Sequence, residues 1–268
     1  MTETSYFKVE TDNHIAWLTL NRPEKRNVMG LAFFDEIGAC FDDFDRNPDI
    51  RVVIIRAEGK SFSAGTDLAE AAALVNQPSA DGRDKMRKNI LALQQGFTKI
   101  ETCRKPVIAA VHSHCIGGGM DLICACDIRL ATTDAIFSIR ETRMGIVADL
   151  GTLQRLPHII GQGWLRELAL TGRDFTAPEA LQMGLITRIC DDRPALYKAA
   201  EKMADQIAAC PPLTVQGTKD VINYSRDNGI EAGLQYVAQK NAAALPSEDL
   251  FEAVTAFMEK RKPVFKGK

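Results

Sequence analysis

Hydrophobic positions along this chain follow strand-like and helical patterns in turn, and then a helical pattern alone. The largely apolar runs at 52–56 (Val-Val-Ile-Ile-Arg) and 107–111 (Val-Ile-Ala-Ala-Val) predict strands, with further strands near 128–131 and 186–190. Residues 6–10 and 14–20 predict a hairpin around Thr11-Asp12-Asn13. Apolar residues at helical spacing predict helices at 31–44, 84–102, 120–126, 161–171 and 178–183. Thr176-Ala177-Pro178-Glu179 is a capping-box start for the last of these. Strand–helix alternation of this kind builds βαβ units with right-handed crossovers, hence an α/β fold. From about residue 193 only helices are expected, at 195–209, 213–224, 230–243 and 248–260, punctuated by Pro211-Pro212, Asn228-Gly229 and Pro246. This shift divides the chain into an expected core, 1–192, and an expected helical region, 193–268.

Two loops carry candidate chemistry. In Cys115-Ile116-Gly117-Gly118-Gly119-Met120-Asp121 the glycines follow a predicted strand and precede a predicted helix. Such a turn exposes N–H groups at the positive end of a helix, and the missing Cβ atoms let a ligand oxygen approach. Ser61-Phe62-Ser63-Ala64-Gly65-Thr66-Asp67 repeats the arrangement after the 52–56 strand. Together the two loops can aim one N–H each at a single developing oxyanion. Three acids accompany them: Asp121, Glu141 and Asp149. Each also has a local reading. Asp121 can cap its own helix, Glu141 can pair with Arg140 or Arg143, and Asp149 can cap the helix that opens at Gly151. A loop at 75–85 is a candidate cover for the pocket.

Composition narrows the classes. A chain of 268 residues, 46% hydrophobic, can bury a large core, and its net charge of -2 argues against a dominant nucleic-acid surface. No apolar stretch approaches the roughly 20 residues needed to span a bilayer. Seven scattered cysteines do not form a disulfide framework, and Cys124 and Cys126 read as small buried residues. His112, His114 and Cys115 lack a fourth ligand for a metal, and there is no P-loop, GxGxxG or GxSxG pattern. Neither a signal-like amino terminus nor an SKL-type carboxyl terminus is present, so cytoplasmic residence is expected.

The segments LNRPEKRN (20–27), FSAGTDL (62–68), KPVIAAVHSHCIGGGMDL (105–122), CDIRLAT (126–132), GTLQRLP (151–157) and FMEKRKPVF (257–265) resemble the enoyl-CoA hydratase/isomerase (crotonase) family, in family order. The resemblance implies a spiral of repeated ββα units with a C-terminal helical region that packs on it and builds trimers, which pair into hexamers. It implies an acyl-CoA substrate whose thioester carbonyl is held by the N–H groups of Ala64 and Gly118, with Ser63, Gly65, Thr66 and Asp67 alongside. It calls for no cofactor, coenzyme A being part of the substrate. Typical hydratases resemble this chain at Glu141 but carry a glutamate at the Asp121 position and a glycine at the Asp149 position. Acids at all three positions match the Δ3,5-Δ2,4-dienoyl-CoA isomerase pattern within the family. That pattern implies that Glu141 handles the carbon-2 proton, Asp149 the carbon-6 proton, and Asp121 tunes and orients them. Asp127, in the CDIR segment shared whatever the reaction, reads as structural. Lys25, Arg26 and Lys260, with Arg261 and Lys262, are expected near the phosphates of CoA, although cations also suit a helix end. The alternatives are enoyl-CoA hydration, another family reaction, or a non-catalytic binding or assembly protein on the same fold, against which three retained acids and the low net charge count.

Overall fold

The computed structural model describes residues 2–75 and 78–268. The chain opens with β1 (Thr2–Glu3), β2 (Phe7–Asp12) and β3 (Ile15–Leu20), then α1 (Leu31–Arg46), β4 (Val52–Ala57), α2 (Leu68–Val75), α3 (Ala80–Thr102) and β5 (Val107–Val111). It continues through β6 (His114–Ile116), α4 (Gly118–Cys124), β7 (Ile128–Thr132) and β8 (Ile136–Ser138). A 3-10 turn (Glu141–Met144), α5 (Thr152–Arg155), α6 (Pro157–Thr171), β9 (Asp174–Thr176), α7 (Ala177–Met183) and β10 (Arg188–Cys190) follow. Four helices close it: α8 (Arg193–Ala208), α9 (Pro212–Asn228), α10 (Ile230–Ala244) and α11 (Glu248–Glu259).

Seven strands form one sheet in the order β1-β2-β3-β4-β5-β7-β10, antiparallel across β1, β2 and β3 and parallel from β3 onward. The parallel part is covered on both faces, which explains why β4 and β5 read as largely apolar runs. Val53, Ile55, Val107, Ala109 and Val111 pack with Phe33, Ile37 and Phe97 in one core. The alternate residues Val52, Ile54, Ile108 and Ala110 meet Leu196, Ala200 and Ala204, which recur every four residues along one face of α8. The helical region past 193 is therefore not wholly an appendage, because its first helix covers the sheet. α9 is tied in by the buried Lys219, whose Nζ donates to Lys105 O at 3.1 Å and to Asp127 Oδ2 at 2.7 Å. Asp127 also accepts Val107 N–H at 2.7 Å, the structural role expected of it.

A second sheet, β6-β8-β9, was not foreseen: strands of three residues offer too few positions for an alternating pattern to register. α4 begins at Gly118, earlier than expected, because glycines contribute nothing to an apolar pattern. α3 begins at Ala80, capped by Ser79 Oγ on Gly82 N–H at 3.0 Å, so the expected 75–85 loop is largely helix. Positions 76 and 77 of that loop lie outside the described residues. Among the described residues no helix is long and apolar enough to cross a membrane.

Candidate active site

The chain leaves β5 through His112 and Ser113, forms β6, and turns into α4 at Gly117, whose φ of 52° and ψ of -116° suit glycine. The 61–67 loop is stitched to β6 by Ser63 N–H to His114 O at 3.0 Å and Ile116 N–H to Ser63 O at 3.1 Å. On its other flank Met29 N–H donates to Gly65 O at 2.9 Å and Asp67 N–H to Met29 O at 2.8 Å. A Cβ on Gly65 would lie 2.8 Å from Ile116 O, so glycine is what lets the two loops touch. The buried Asn27 anchors the assembly. Its side chain donates to Glu58 O and Ser61 O, and its carbonyl accepts the Ser63 hydroxyl at 2.9 Å.

This stitching corrects one expected donor. Ala64 N–H already donates to Arg26 O at 3.0 Å, and Gly65 N–H donates to Ser63 Oγ at 3.1 Å. Among the described residues, Thr66 N–H and Gly118 N–H are left without a partner, and a Cβ on Gly118 would lie 3.4 Å from Thr66 N. The adjacent free pair is therefore Thr66 with Gly118. A strand-like segment alternates its N–H directions, so bonding of Asp67 N–H to Met29 turns Thr66 N–H the other way. Nothing in the local sequence reveals which neighbour a loop residue bonds, which is why Ala64 was expected instead.

Thr66 and Gly118 both line a cavity of about 710 Å³, lined mainly by apolar side chains including Leu68, Met86, Ile90, Leu93 and Leu150. Ala64, Gly65 and Asp67 also line it. Ser63 does not, being fully buried with its hydroxyl spent on Asn27. Asp67 caps α2, its Oδ1 accepting Ala69 N–H at 3.0 Å. Lys25, Arg26 and Lys260 are exposed, and none of the three lines the cavity. His112 and His114 make backbone and serine contacts, with Gly59 O and Ser113 Oγ respectively.

All three acids line the cavity. Asp121 is 1% exposed, and its Oδ1 accepts Thr152 N–H at 2.7 Å, so it bonds the first N–H of α5 instead of its own helix. Glu141 stands at the start of the 3-10 turn, and a Cβ on Gly117 would lie 3.1 Å from its Oε1. The expected arginine partners look elsewhere: Arg140 to Asp174, and Arg143 Nε to Thr171 O at 3.0 Å. Among the described residues, Asp121 Oδ2 and Glu141 Oε2 are buried with no partner. Thr152 N–H is the first of α5 and its N-cap Gly151 has no side chain to offer, so Asp121 fills the capping role that was expected of Asp149. Burial and the neighbouring Glu141 push the Asp121 carboxyl up to about 7, against the opposing bond from Thr152. Burial likewise raises Glu141, with Asp149 adding to it, and burial raises Asp149.

A buried acid raised in the fold contributes stability that is present at acid pH and lost as pH rises through its folded value. Asp121→Asn keeps the acceptor for Thr152 but cannot ionise. Its stability relative to the unsubstituted protein is thus expected to climb between pH 4 and 8, by at most about 4 kcal/mol. Urea unfolding across that range measures it, and a pH-independent difference would show that Asp121 does not carry the burden.

Paired backbone donors beside carboxyl groups in an apolar cavity suit proton transfer next to a developing oxyanion. The sequence pattern of the enoyl-CoA hydratase/isomerase family matches residues 10–268, and the chain belongs to that family. The peroxisomal Delta(3,5)-Delta(2,4)-dienoyl-CoA isomerase of Arabidopsis thaliana is 45% identical over 99% of both chains. The mitochondrial enzyme of the same name from Mus musculus is 45% identical over 92% of this chain and 77% of its own. Among solved structures, an enoyl-CoA hydratase from Bacillus anthracis superposes with a TM-score of 0.91 at 31% identity, covering 98% of this chain and 100% of its own. These relatives overturn the cytoplasmic expectation: they are named as peroxisomal and mitochondrial, so the terminal residues were no guide to compartment.

Proposed function

We propose that this chain isomerises 3,5-dienoyl-CoA to 2,4-dienoyl-CoA in unsaturated fatty-acid oxidation. The observation that carries the reading is the set of three carboxyl groups, Asp121, Glu141 and Asp149, in one apolar cavity beside the free N–H groups of Thr66 and Gly118. On this reading the two N–H groups hold the thioester oxygen, and ionised Glu141 removes a proton from carbon 2. The charge spreads from the oxygen to carbon 6 as a dienolate, and neutral Asp149 protonates carbon 6. One proton leaves and one arrives, the double bonds move to 2 and 4, and no electron is lost or gained. The approach of Glu141 to Gly117 supports its role near the carbonyl, since carbon 2 is the carbonyl's neighbour. Burial raises the proton affinity of Asp149, the direction a neutral donor requires. The chemistry needs proton transfer only, with coenzyme A as part of the substrate and no separate cofactor.

The reading includes contact of Lys25, Arg26 or Lys260 with the phosphates of CoA, and assembly through 193–268 into trimers that pair as hexamers. Exposed apolar residues on the last helices support assembly, among them Ile230, 81% exposed, and Phe257, 85% exposed.

Incubation of purified protein with 3,5-dienoyl-CoA, followed by ultraviolet absorbance of the conjugated product, tests the activity. Growth of the 2,4-dienoyl signal is expected. Rapid hydration of 2-enoyl-CoA with no dienoyl isomerisation would instead make the chain a hydratase.

A further inference from the structure

Asp149 lies in a stretch, 146–149, with no helix or strand to hold its backbone. α3 supplies the missing support. Gln94, Thr98 and Glu101 stand at spacings of four and three on that helix, and so share one face. Gln94 Nε2 donates to Asp149 O at 2.6 Å. Glu101 Oε2 receives Arg155 Nε at 2.9 Å, and Thr98 Oγ1 receives Arg155 Nη2 at 3.2 Å. The guanidinium so held reaches back to Leu150 O through Nη1 at 3.4 Å. It also occupies the place where a Cβ on Gly151, at φ 124°, would fall. Arg226 of α9 grips the other oxygen of Glu101 at 2.5 Å. These side chains line a second cavity of about 320 Å³, and none of them lines the substrate cavity.

We propose that Gln94 and Arg155 are positioning residues that set the Asp149 carboxyl for proton delivery at the far end of the substrate. The assignment rests on Asp149 being the distal donor. Neither residue bonds Glu141 or its 3-10 turn, so the device acts on the second proton transfer and leaves the first alone.

Gln94→Met keeps side-chain length and loses the N–H donor. In the full-length protein, isomerisation is expected to fall roughly 10- to 100-fold, the scale of a misplacement of about 1 Å. Exchange of the carbon-2 proton with deuterated solvent is expected to stay within about twofold, with KM unchanged. Arg155→Lys keeps the charge but not the fork, and should shift the ratio of exchange to isomerisation in the same direction. A folded Gln94→Met protein that isomerises at the native rate overturns the proposal, as does equal loss of exchange and isomerisation. If Gln94→Met does not fold, the ratio in Arg155→Lys decides by the same criteria. Asp149→Asn run in parallel separates the two assignments. Native isomerisation in Asp149→Asn removes the distal donor itself, whereas an inactive Asp149→Asn beside a native Gln94→Met removes only the positioning role.

Discussion

Glu141→Gln is expected to lose both isomerisation and exchange of the carbon-2 proton, because without a base no dienolate forms. Asp149→Asn is expected to lose isomerisation while still exchanging that proton with deuterated solvent. A positioned acid or base typically contributes about 100- to 10,000-fold, so each loss should be within reach of a rate measurement. The amides keep size and hydrogen bonding. Glu141 Oε2 accepts no bond among the described residues, and an amide oxygen can still accept the backbone N–H that each carboxyl meets. Loss therefore reports on proton transfer. Native isomerisation by Asp149→Asn would remove the main distinction from a hydratase, and the reverse exchange pattern would swap the two acids.

Gly118→Pro is expected to lower kcat and kcat/KM together by about 100- to 1000-fold, the cost of deleting one oxyanion donor. Gly118 is the first residue of α4, where proline is best tolerated since the N–H has no partner within the helix. Its Cβ would lie 3.1 Å from Thr66 Oγ1 and 3.3 Å from Met29 Sδ, and the methionine can yield. Circular dichroism checks that the fold survives. A folded Gly118→Pro protein with near-native turnover would show that this loop does not hold the thioester. Thr66→Pro, which deletes the other free N–H, should give a loss of the same order.

Much of this protein is written locally. The largely apolar runs of β4 and β5 determined a sheet covered on both faces, and the four-residue spacing of Leu196, Ala200 and Ala204 determined a helix with one buried face. The glycine loop, the FSAGTD loop and the three acids were legible as chemistry because each depends on residue type and short spacing. Other features depend on contacts between distant segments. The short strands β6, β8 and β9 exist through pairing with one another, and no three-residue pattern announces them. Whether Ala64 or Thr66 offers its N–H depends on Arg26 and Met29, more than 30 positions away in the chain. Asp121 could have capped its own helix, and only the approach of Thr152 directs its carboxyl elsewhere. The shifted affinities of the acids likewise arise from burial, which no acid carries in its own sequence neighbourhood. Local preference selects the elements and their faces, while hydrogen-bond partners and solvent exclusion are set when those faces meet.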